Sequence, residues 1–344
     1  MKTTLQSEFN KYHDAIKLIN TDDNKPLREK RDMLVKELRA YFDKKAAKEG
    51  TSKITFAVEN QGSYSMGTGI KPQADGDYDI DIMILFNFTK DDYTPVEVKK
   101  WVYEALNTEF RTVEYKKPCV RVQYHKAGEE HFHVDMALYA NGDTKTYLSV
   151  GKPNSATSDK KWEVSNPKLL KEKVNSRFTD SDESQQMKRI IRYLKRWKDL
   201  KFKNTENGKP TGIAITALAL NFFKPEIDKI GFNSSVAPND LTALKNLVGS
   251  IVDQFGWFGD SISVELPVEP YNDLFEKMTE NQRKVFKERL ESFKTALQDA
   301  KNEPDPHEAS KMLRKQLGDD FPEVKKDTSG QKRSLAFPGK SESA

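Results

Sequence analysis

Cysteine is almost absent from this chain, which has one, Cys119, among 344 residues. A single thiol can form neither a disulfide framework nor a paired-cysteine metal knuckle, so the sequence excludes both. Long hydrophobic runs are lacking as well, because the longest mostly apolar stretch, residues 212–223, is too short to span a bilayer. The first residues lack the apolar segment of a secretory signal. We therefore expect a soluble cytoplasmic protein from a reducing compartment, with no membrane partner.

Neither sign of charge dominates the composition. The sequence has 57 Lys and Arg against 53 Asp and Glu, a formal net charge of +4. This balance excludes a uniformly basic, histone-like nucleic-acid binder, although it is compatible with a local basic cleft. Aromatic residues make up 10% of the chain, which argues against global disorder.

The secondary-structure signals change character along the chain. Helix formers with apolar residues at helical spacing predict a long helix at 24–47. Alternating and β-branched patterns predict strands at 54–58, 78–88, 119–124 and 132–139. A helix is predicted at about 95–108, between the second and third of these strands. Helical patterns then dominate, at 182–203, 211–224, 239–254 and 279–302. We therefore predict an α+β protein in which a mixed sheet with helices (1–180) precedes a C-terminal helical domain (181–322) and a flexible, polar tail (323–344).

The segment YDIDIMILFNF at 78–88 carries two carboxylates on one strand face. Side chains alternate across a strand, so Asp79 and Asp81 share a face, while the even-numbered positions are continuously apolar. Neighbouring carboxylates repel each other unless a cation lies between them. Mg²⁺ is a matched partner, since it usually takes one or two carboxylates plus phosphate oxygens. A solvated strand edge explains this segment equally well when it is taken alone.

Two other segments favour the metal-site interpretation. Gln61, Gly62 and Ser63 follow the first predicted strand, and a Gly-Ser turn presents backbone N–H groups and a hydroxyl that suit a triphosphate. Asp135 lies in the predicted strand 132–139. Three carboxylates on adjacent strands can hold two Mg²⁺ ions about 3.5–4 Å apart.

Together these segments resemble the polymerase-β-like nucleotidyltransferase superfamily. More narrowly, they resemble the bacterial cGAS/DncV-like nucleotidyltransferases (CD-NTases), the cyclic oligonucleotide synthases of CBASS anti-phage defence. The strongest similarity lies in QGSYSMGTGI at 61–70, YDIDIMI at 78–84 and FHVDMALY at 132–139. Less specific support comes from WEVSNPKLL at 162–170, RIIRYLKRWKD at 189–199, KPTGIAITALAL at 209–220 and LGDDFP at 317–322.

The resemblance implies a bilobed protein whose active site lies in the cleft between the nucleotidyltransferase core and the helical domain. It makes Asp79, Asp81 and Asp135 the catalytic ligands of two Mg²⁺ ions, for which Mn²⁺ can substitute.

For nucleotide binding, the resemblance implies triphosphate contacts at Gln61, Gly62 and Ser63. It adds Lys195, and Thr211 at a position where serine is common in the family.

The implied reaction joins NTPs, ATP and/or GTP, into a cyclic di- or trinucleotide with release of pyrophosphate. One alternative is another nucleotidyltransferase of the superfamily, which modifies tRNA, a protein or a small molecule. A second is a catalytically silent relative that binds nucleic acid. The three aspartates argue against the silent relative, and the near-full-length similarity argues against the first alternative. Base choice, linkage and ring size do not follow from these motifs.

Two assignments have simpler alternatives. Lys195 flanks an apolar stripe on its predicted helix, and without the family a surface lysine is the simpler interpretation. The same holds for Arg192 and Lys198, which are weaker phosphate candidates. Asp77 could pair with Asp79, although its position near the preceding turn favours the pair formed further along the strand.

A different metal site is also compatible with the sequence. His131, His133 and Asp135 alternate along one predicted strand, and two imidazoles with a carboxylate can bind Zn²⁺ or Fe²⁺. This interpretation leaves the Gly-Ser turn and the paired aspartates unexplained, and the two histidines could simply face solvent.

Partners are implied by the family as well. Some CBASS operons encode an enzyme that conjugates the synthase through its C-terminus, others a peptide-binding HORMA protein, and the product acts on a downstream effector. The final residues 339–344 are small and polar enough for conjugation, although an ordinary frayed terminus is the simpler interpretation. One cysteine excludes the multi-cysteine ribbon by which the animal relative binds DNA, so activation by nucleic acid is not indicated.

Overall fold

A computed structural model describes most of the chain. The described residues are 5–18, 25–73, 78–124, 132–203, 208–230, 235–256 and 261–326. No helix within these ranges combines the length and apolar character that crossing a membrane requires.

The described strands form one mixed sheet and one hairpin. The sheet contains β1 (Phe56–Asn60), β2 (Tyr78–Thr89), β3 (Arg111–Tyr115), β4 (Val120–Tyr124), β5 (Phe132–Asn141), β6 (Tyr147–Val150) and β7 (Lys161–Val164), and the hairpin pairs β8 (Ile227–Ile230) with β9 (Ser235–Pro238). The main strand order is β1-β2-β5-β4-β3, with β6 beside β5 and β7 beside β6. Only β2 and β5 run parallel among these described pairs.

The helices are concentrated in the second half of the chain. They are α1 (Gln6–Ile16), α2 (Lys25–Glu49), α3 (Gly62–Ser65), α4 (Pro95–Leu106), α5 (Pro167–Asn175), α6 (Ser181–Lys201), α7 (Gly212–Phe222), α8 (Asp240–Val252), α9 (Glu280–Asn302) and α10 (Pro306–Leu317).

One face of the sheet is covered by α2 and α4. The even-numbered side chains of β2, from Ile80 to Phe86, are buried there against Phe42 of α2 and Trp101 of α4. The start of α4 is fixed by a capping box at Thr94 and by a proline in its first turn. The predicted apolar face of β2 is therefore confirmed. The opposite face begins with Asp79 and Asp81 and continues with Met83 and Leu85, which pack in a small apolar cluster with Tyr139.

A second core surrounds α6 and α7. Helix α6 buries an apolar stripe at helical spacing, from Met187 to Trp197. Helix α7 is apolar on nearly all sides, as expected of a helix at the centre of a core. Helix α1 also belongs to this core, because Phe9 and Tyr12 are buried in it and the Tyr12 hydroxyl donates to the Leu317 carbonyl at 3.0 Å.

The predicted helices and strands are present with ends shifted by a few residues. Several described elements have no counterpart in the prediction, namely α1, α5, α10, β3, β6, β7 and the β8–β9 hairpin. Of the predicted tail 323–344, residues 327–344 lie outside the described part of the chain. The domain boundaries at 180 and 322 stay a prediction.

Candidate active site

Three aspartates meet on the open face of the sheet. In the parallel pairing of β2 with β5, Asp81 lies opposite Asp135, and Asp79 precedes Asp81 on the same face. One carboxylate oxygen from each of the three residues lies within 4.8 Å of the others. Asp79 is exposed, whereas Asp81 and Asp135 are half-buried. The structure therefore brings together all three predicted metal ligands.

The charge of Asp81 in this triad is only partly compensated within the protein. Burial and the neighbouring Asp135 carboxylate raise the pKa of Asp81 to about 6, although the cations Arg121 and Lys195 act in the opposite direction. Hard carboxylate oxygens that repel one another at this spacing fit a divalent cation. The donor set therefore suits a metal such as Mg²⁺ at this position.

A glycine turn lies directly against the triad. The Gln61 N–H donates to the backbone oxygen of Asp81 at 2.9 Å, which fixes the turn to β2. Gly62 has φ +67°, and a Cβ at this residue would lie 2.0 Å from Oδ2 of Asp81. Only glycine allows both the left-handed backbone and this close approach. The Tyr139 hydroxyl donates to Oε1 of Gln61 at 3.2 Å and orients its amide.

The turn and two aspartates of the triad, Asp79 and Asp81, border a cavity of about 870 Å³. Predicted nucleotide or metal residues among its lining are Gln61, Gly62, Ser63, Asp79, Asp81, Lys195 and Thr211. Of the eight predicted residues, Asp135 alone is not part of this lining. The sheet half supplies one wall, and α6 with the start of α7 supplies another. The cavity is large enough for a nucleotide triphosphate by the size of typical ligand sites.

Lys195 is a buried residue of the cavity wall, so it is not a surface lysine. Its Nζ donates to the Thr68 carbonyl and hydroxyl oxygens, both at 3.2 Å. Burial, with the nearby cations Lys198 and Arg192, lowers the pKa of Lys195 to about 7. Thr211 caps α7, since its hydroxyl accepts from the Ala214 N–H at 3.2 Å.

Two arginines of α6 continue the contact that Lys195 begins. Arg192 donates to the Gly69 carbonyl and Arg196 to the Lys71 carbonyl, each at 3.1 Å. Together with Lys195, they hydrogen-bond the loop 66–71 to α6. This loop leads from α3 toward β2. Lys198 lines the cavity and pairs with Asp199 at 3.1 Å.

Arg121 is the main residue of this site that the sequence analysis missed. Its Nε and Nη2 donate to Oδ1 and Oδ2 of Asp135, both at 2.7 Å. It lies in the segment VRVQY, where a single charge between valines is ordinary for a half-exposed strand. The one available signal was its alternation with Val120 and Val122, which places it on the polar face.

The alternative acidic and histidine ligands receive no support from the described residues. Asp77 and His131 lie outside them. His133 lies opposite Asp79 in the sheet register, and its Nε2 is 3.2 Å from Nε2 of Gln123. Within the described ranges, the only group of three suitable metal ligands is the aspartate triad.

The family comparison matches the segment that holds this triad. Residues 56–139 match the family model described as "Cyclic GMP-AMP synthase DncV-like, nucleotidyltransferase domain". Residues 56–139, called the DncV-like domain below, are therefore similar to this family. The DncV-like domain thus contains the glycine turn and all three aspartates, whereas Lys195 and Thr211 lie beyond it.

Two relatives extend the comparison past the DncV-like domain. Over 176 residues the chain is 28% identical to a cyclic GMP-AMP synthase from Escherichia albertii, a match that covers 48% of this chain and 37% of that protein. Over 191 residues it is 24% identical to a c-di-GMP synthase from Roseivirga ehrenbergii, covering 50% of each. The match therefore spans half or less of the length of either relative.

Solved structures share the fold of most of the chain. The cyclic AMP-GMP synthase DncV from Vibrio cholerae superposes with a TM-score of 0.70 at 17% identity, covering 91% of this chain and 97% of that one. A complex of the same dinucleotide cyclase with ATP and GTP gives 0.72 at 16% identity, covering 93% and 97%. At these identities the likeness shows the fold alone, and it confirms the predicted α+β class, a mixed sheet with helices and a helical portion.

Proposed function

We propose that this protein is a nucleotidyltransferase that joins NTPs into a cyclic di- or trinucleotide and releases pyrophosphate at each step. One observation carries the proposal: a single cavity combines the carboxylates of Asp79 and Asp81, the glycine turn at Gly62 and the buried ammonium of Lys195. The relatives with similar sequence are named as cyclic dinucleotide synthases, which favours this reaction over other uses of the fold.

In this reaction a sugar hydroxyl of one nucleotide attacks the α-phosphate of another. We assign Asp79, Asp81 and Asp135 as ligands of two Mg²⁺ ions, with Mn²⁺ as a substitute. Bound at the triad, the ions would lower the pKa of the attacking hydroxyl and neutralise charge on the phosphates. The close spacing and incomplete charge compensation of the three carboxylates support this assignment.

The remaining residues would bind and orient the triphosphate. Gln61, Gly62 and Ser63 line the cavity beside Asp79 and Asp81, which supports assigning the Ser63 hydroxyl and the N–H groups of the turn as donors to phosphate oxygens. Lys195 would exchange its contacts with Thr68 for a phosphate. Thr211 contributes mainly by fixing the start of α7 beside the cavity.

The decisive experiment supplies NTPs and no other acceptor. Purified protein is incubated with Mg²⁺ or Mn²⁺ and with ATP, GTP, CTP and UTP singly and in pairs, followed by phosphatase treatment and mass spectrometry. We expect a phosphatase-resistant cyclic product that includes adenosine and/or guanosine. Its mass and nuclease sensitivity would define base, ring size and linkage. The Asp79→Asn, Asp81→Asn double variant is the matched inactive control.

Two other outcomes would replace this proposal. Product that forms only after tRNA, protein or a small-molecule acceptor is added would identify a different nucleotidyltransferase. Nucleic-acid binding by a folded protein without turnover on any of these substrates would identify a silent relative.

A cyclic nucleotide made in the cytoplasm would act as a second messenger, and we propose a role in CBASS anti-phage defence. Phage challenge of cells that carry the gene with its neighbours tests this role, with the double variant as control. Protection must require both the aspartates and an effector that binds the product. Co-purification from the same cells tests whether a conjugating enzyme or a HORMA protein is the partner.

A further inference from the structure

Asp135 of the triad is bound to a cation of the chain. Arg121 lies opposite Asp135 in the β4–β5 register, and its guanidinium donates to both carboxylate oxygens at 2.7 Å. The Asp135 side chain is 13% exposed and the Arg121 side chain 24%. A bidentate guanidinium–carboxylate pair of this geometry is among the stronger ion pairs in proteins.

Arg121 also reaches the second aspartate that a metal would need. Its Nη2 lies 3.9 Å from Oδ1 of Asp79. The guanidinium is therefore at the edge of the triad, where it partly neutralises two of the three carboxylates. A divalent ion held by Asp135 would be brought into close contact with this positive group, and like charges at such a distance repel.

Access to the three aspartates is unequal as well. Asp79 and Asp81 line the large cavity, whereas Asp135 does not. A metal that entered with a triphosphate through the cavity would therefore meet Asp79 and Asp81 first, while Asp135 was still paired with Arg121.

We propose that Arg121 is an internal counter-ion that competes with a divalent metal for Asp135, so that the Arg121–Asp135 pair must open before all three aspartates can bind metal. This inference rests on the proposed metal triad. Its consequence would be that Asp135 joins the metal site only when the metal displaces Arg121.

The test measures binding of Mn²⁺ alone, in the absence of nucleotide, by the electron paramagnetic resonance signal of free Mn²⁺. We expect Arg121→Gln to bind Mn²⁺ about tenfold more tightly than the wild type, because a charge-assisted pair no longer opposes the metal. Arg121→Lys retains the charge without the bidentate geometry and should show a smaller gain. Lys117→Gln removes an exposed positive charge from the turn before β4 and should bind like the wild type.

Three other results of the Mn²⁺ binding experiment would overturn the proposal in different ways. Equal Mn²⁺ affinity in Arg121→Gln and Lys117→Gln would overturn the proposal, as would the absence of measurable binding in every variant. Weaker binding in Arg121→Gln would show that Arg121 orders Asp135 for the metal instead of competing with it, which also overturns the proposal. Thermal unfolding without metal shows whether each variant is folded. If Arg121→Gln does not fold, the Mn²⁺ affinity of Arg121→Lys is compared with that of the wild type instead.

A further control separates this inference from the proposed function. Asp81→Asn in the Arg121→Gln background should lose the added Mn²⁺ affinity. If it binds as tightly as Arg121→Gln alone, the metal is held elsewhere and the triad assignment fails. If it binds more weakly while Arg121→Gln shows no gain over wild type, the triad stands and only the role of Arg121 fails.

Discussion

Gly62 and Asp81 are packed so closely that no side chain fits between them. A Cβ on residue 62 would lie 2.0 Å from Oδ2 of Asp81 and 2.8 Å from its Cγ. The glycine turn and the acidic strand therefore form one unit, in which the position of the turn depends on the carboxylate that it contacts.

Replacing Gly62 with alanine should remove nucleotidyl transfer and destabilise the fold. The new Cβ must displace Asp81 or the turn, in addition to the cost of about 1 kcal/mol for alanine at positive φ. Gly50→Ala is the matched control, since Gly50 has φ +63° with nothing within 4 Å of the added Cβ. Product formation and urea unfolding of both variants test this, and equal losses of stability would show that the contact with Asp81 is unimportant.

Asp81→Asn should abolish product formation and stabilise the metal-free protein at neutral pH. The raised pKa of Asp81, about 6 against an ordinary 3.8, means that the folded state binds more protons than the unfolded state between these values. The free energy of unfolding of the wild type therefore falls as pH rises through this window. We expect the variant to be more stable by about 1–3 kcal/mol above pH 7 and similar to wild type near pH 4.

Asp79→Asn is the control for this experiment. Asp79 is exposed, so the same substitution should abolish product formation with little change in stability. Denaturant unfolding across pH, with a metal chelator present, makes the comparison. A stability difference at Asp81 that does not vary with pH would contradict the electrostatic explanation.

Triphosphate binding should take up a proton at Lys195. The pKa of this lysine, about 7 in the free protein, leaves it mostly neutral at pH 8, whereas an adjacent phosphate favours the ammonium form. NTP affinity should therefore fall by up to about tenfold per pH unit above pH 8. Calorimetry in buffers of different ionisation enthalpy measures the proton uptake. Lys195→Met should show none, and a wild type without uptake would exclude Lys195 as a phosphate ligand.

Loss of the Ser63 hydroxyl should weaken substrate binding. In the described part of the chain this hydroxyl makes no hydrogen bond, and Ser63 lines the cavity. We expect Ser63→Ala to raise the KM for NTP about three- to tenfold, the value of one hydrogen bond. Ser65→Ala is the matched control, because the Ser65 hydroxyl already donates to the Gly62 carbonyl at 3.0 Å. Unchanged steady-state kinetics in Ser63→Ala would make the turn purely structural.

The period-2 pattern of residues 78–88 was sufficient to predict the face shared by Asp79 and Asp81 and the buried face opposite. It could not predict that β2 runs parallel to β5, because register between distant strands is set by the whole sheet. The placement of Asp135 on an adjacent strand was therefore a hypothesis from the pattern, which the family resemblance then supported. The same limit applies to Arg121, whose partner lies on the neighbouring strand.

Lys195 shows a second limit of sequence analysis. Its place at the border of an apolar stripe is compatible with solvent or with a cleft, and the local pattern does not separate the two. Its burial depends on the loop at Thr68, which reaches α6 from 127 residues away in sequence. Helix α1 was missed for a related reason, since its mostly polar sequence has an apolar face that only the helical core reveals.

The placement of α1 bears on how the chain folds during synthesis. Its residues Phe9 and Tyr12 are synthesised before the sheet half, yet they pack in a core with Tyr193 and with Phe321, close to the last residue described. The sheet half can fold on the ribosome before α6 and α10 are synthesised, whereas α1 can pack only after them. The tertiary contacts of α1 therefore form late, although its residues are made early. A deletion of the first helix would accordingly damage the helical half at the other end of the chain.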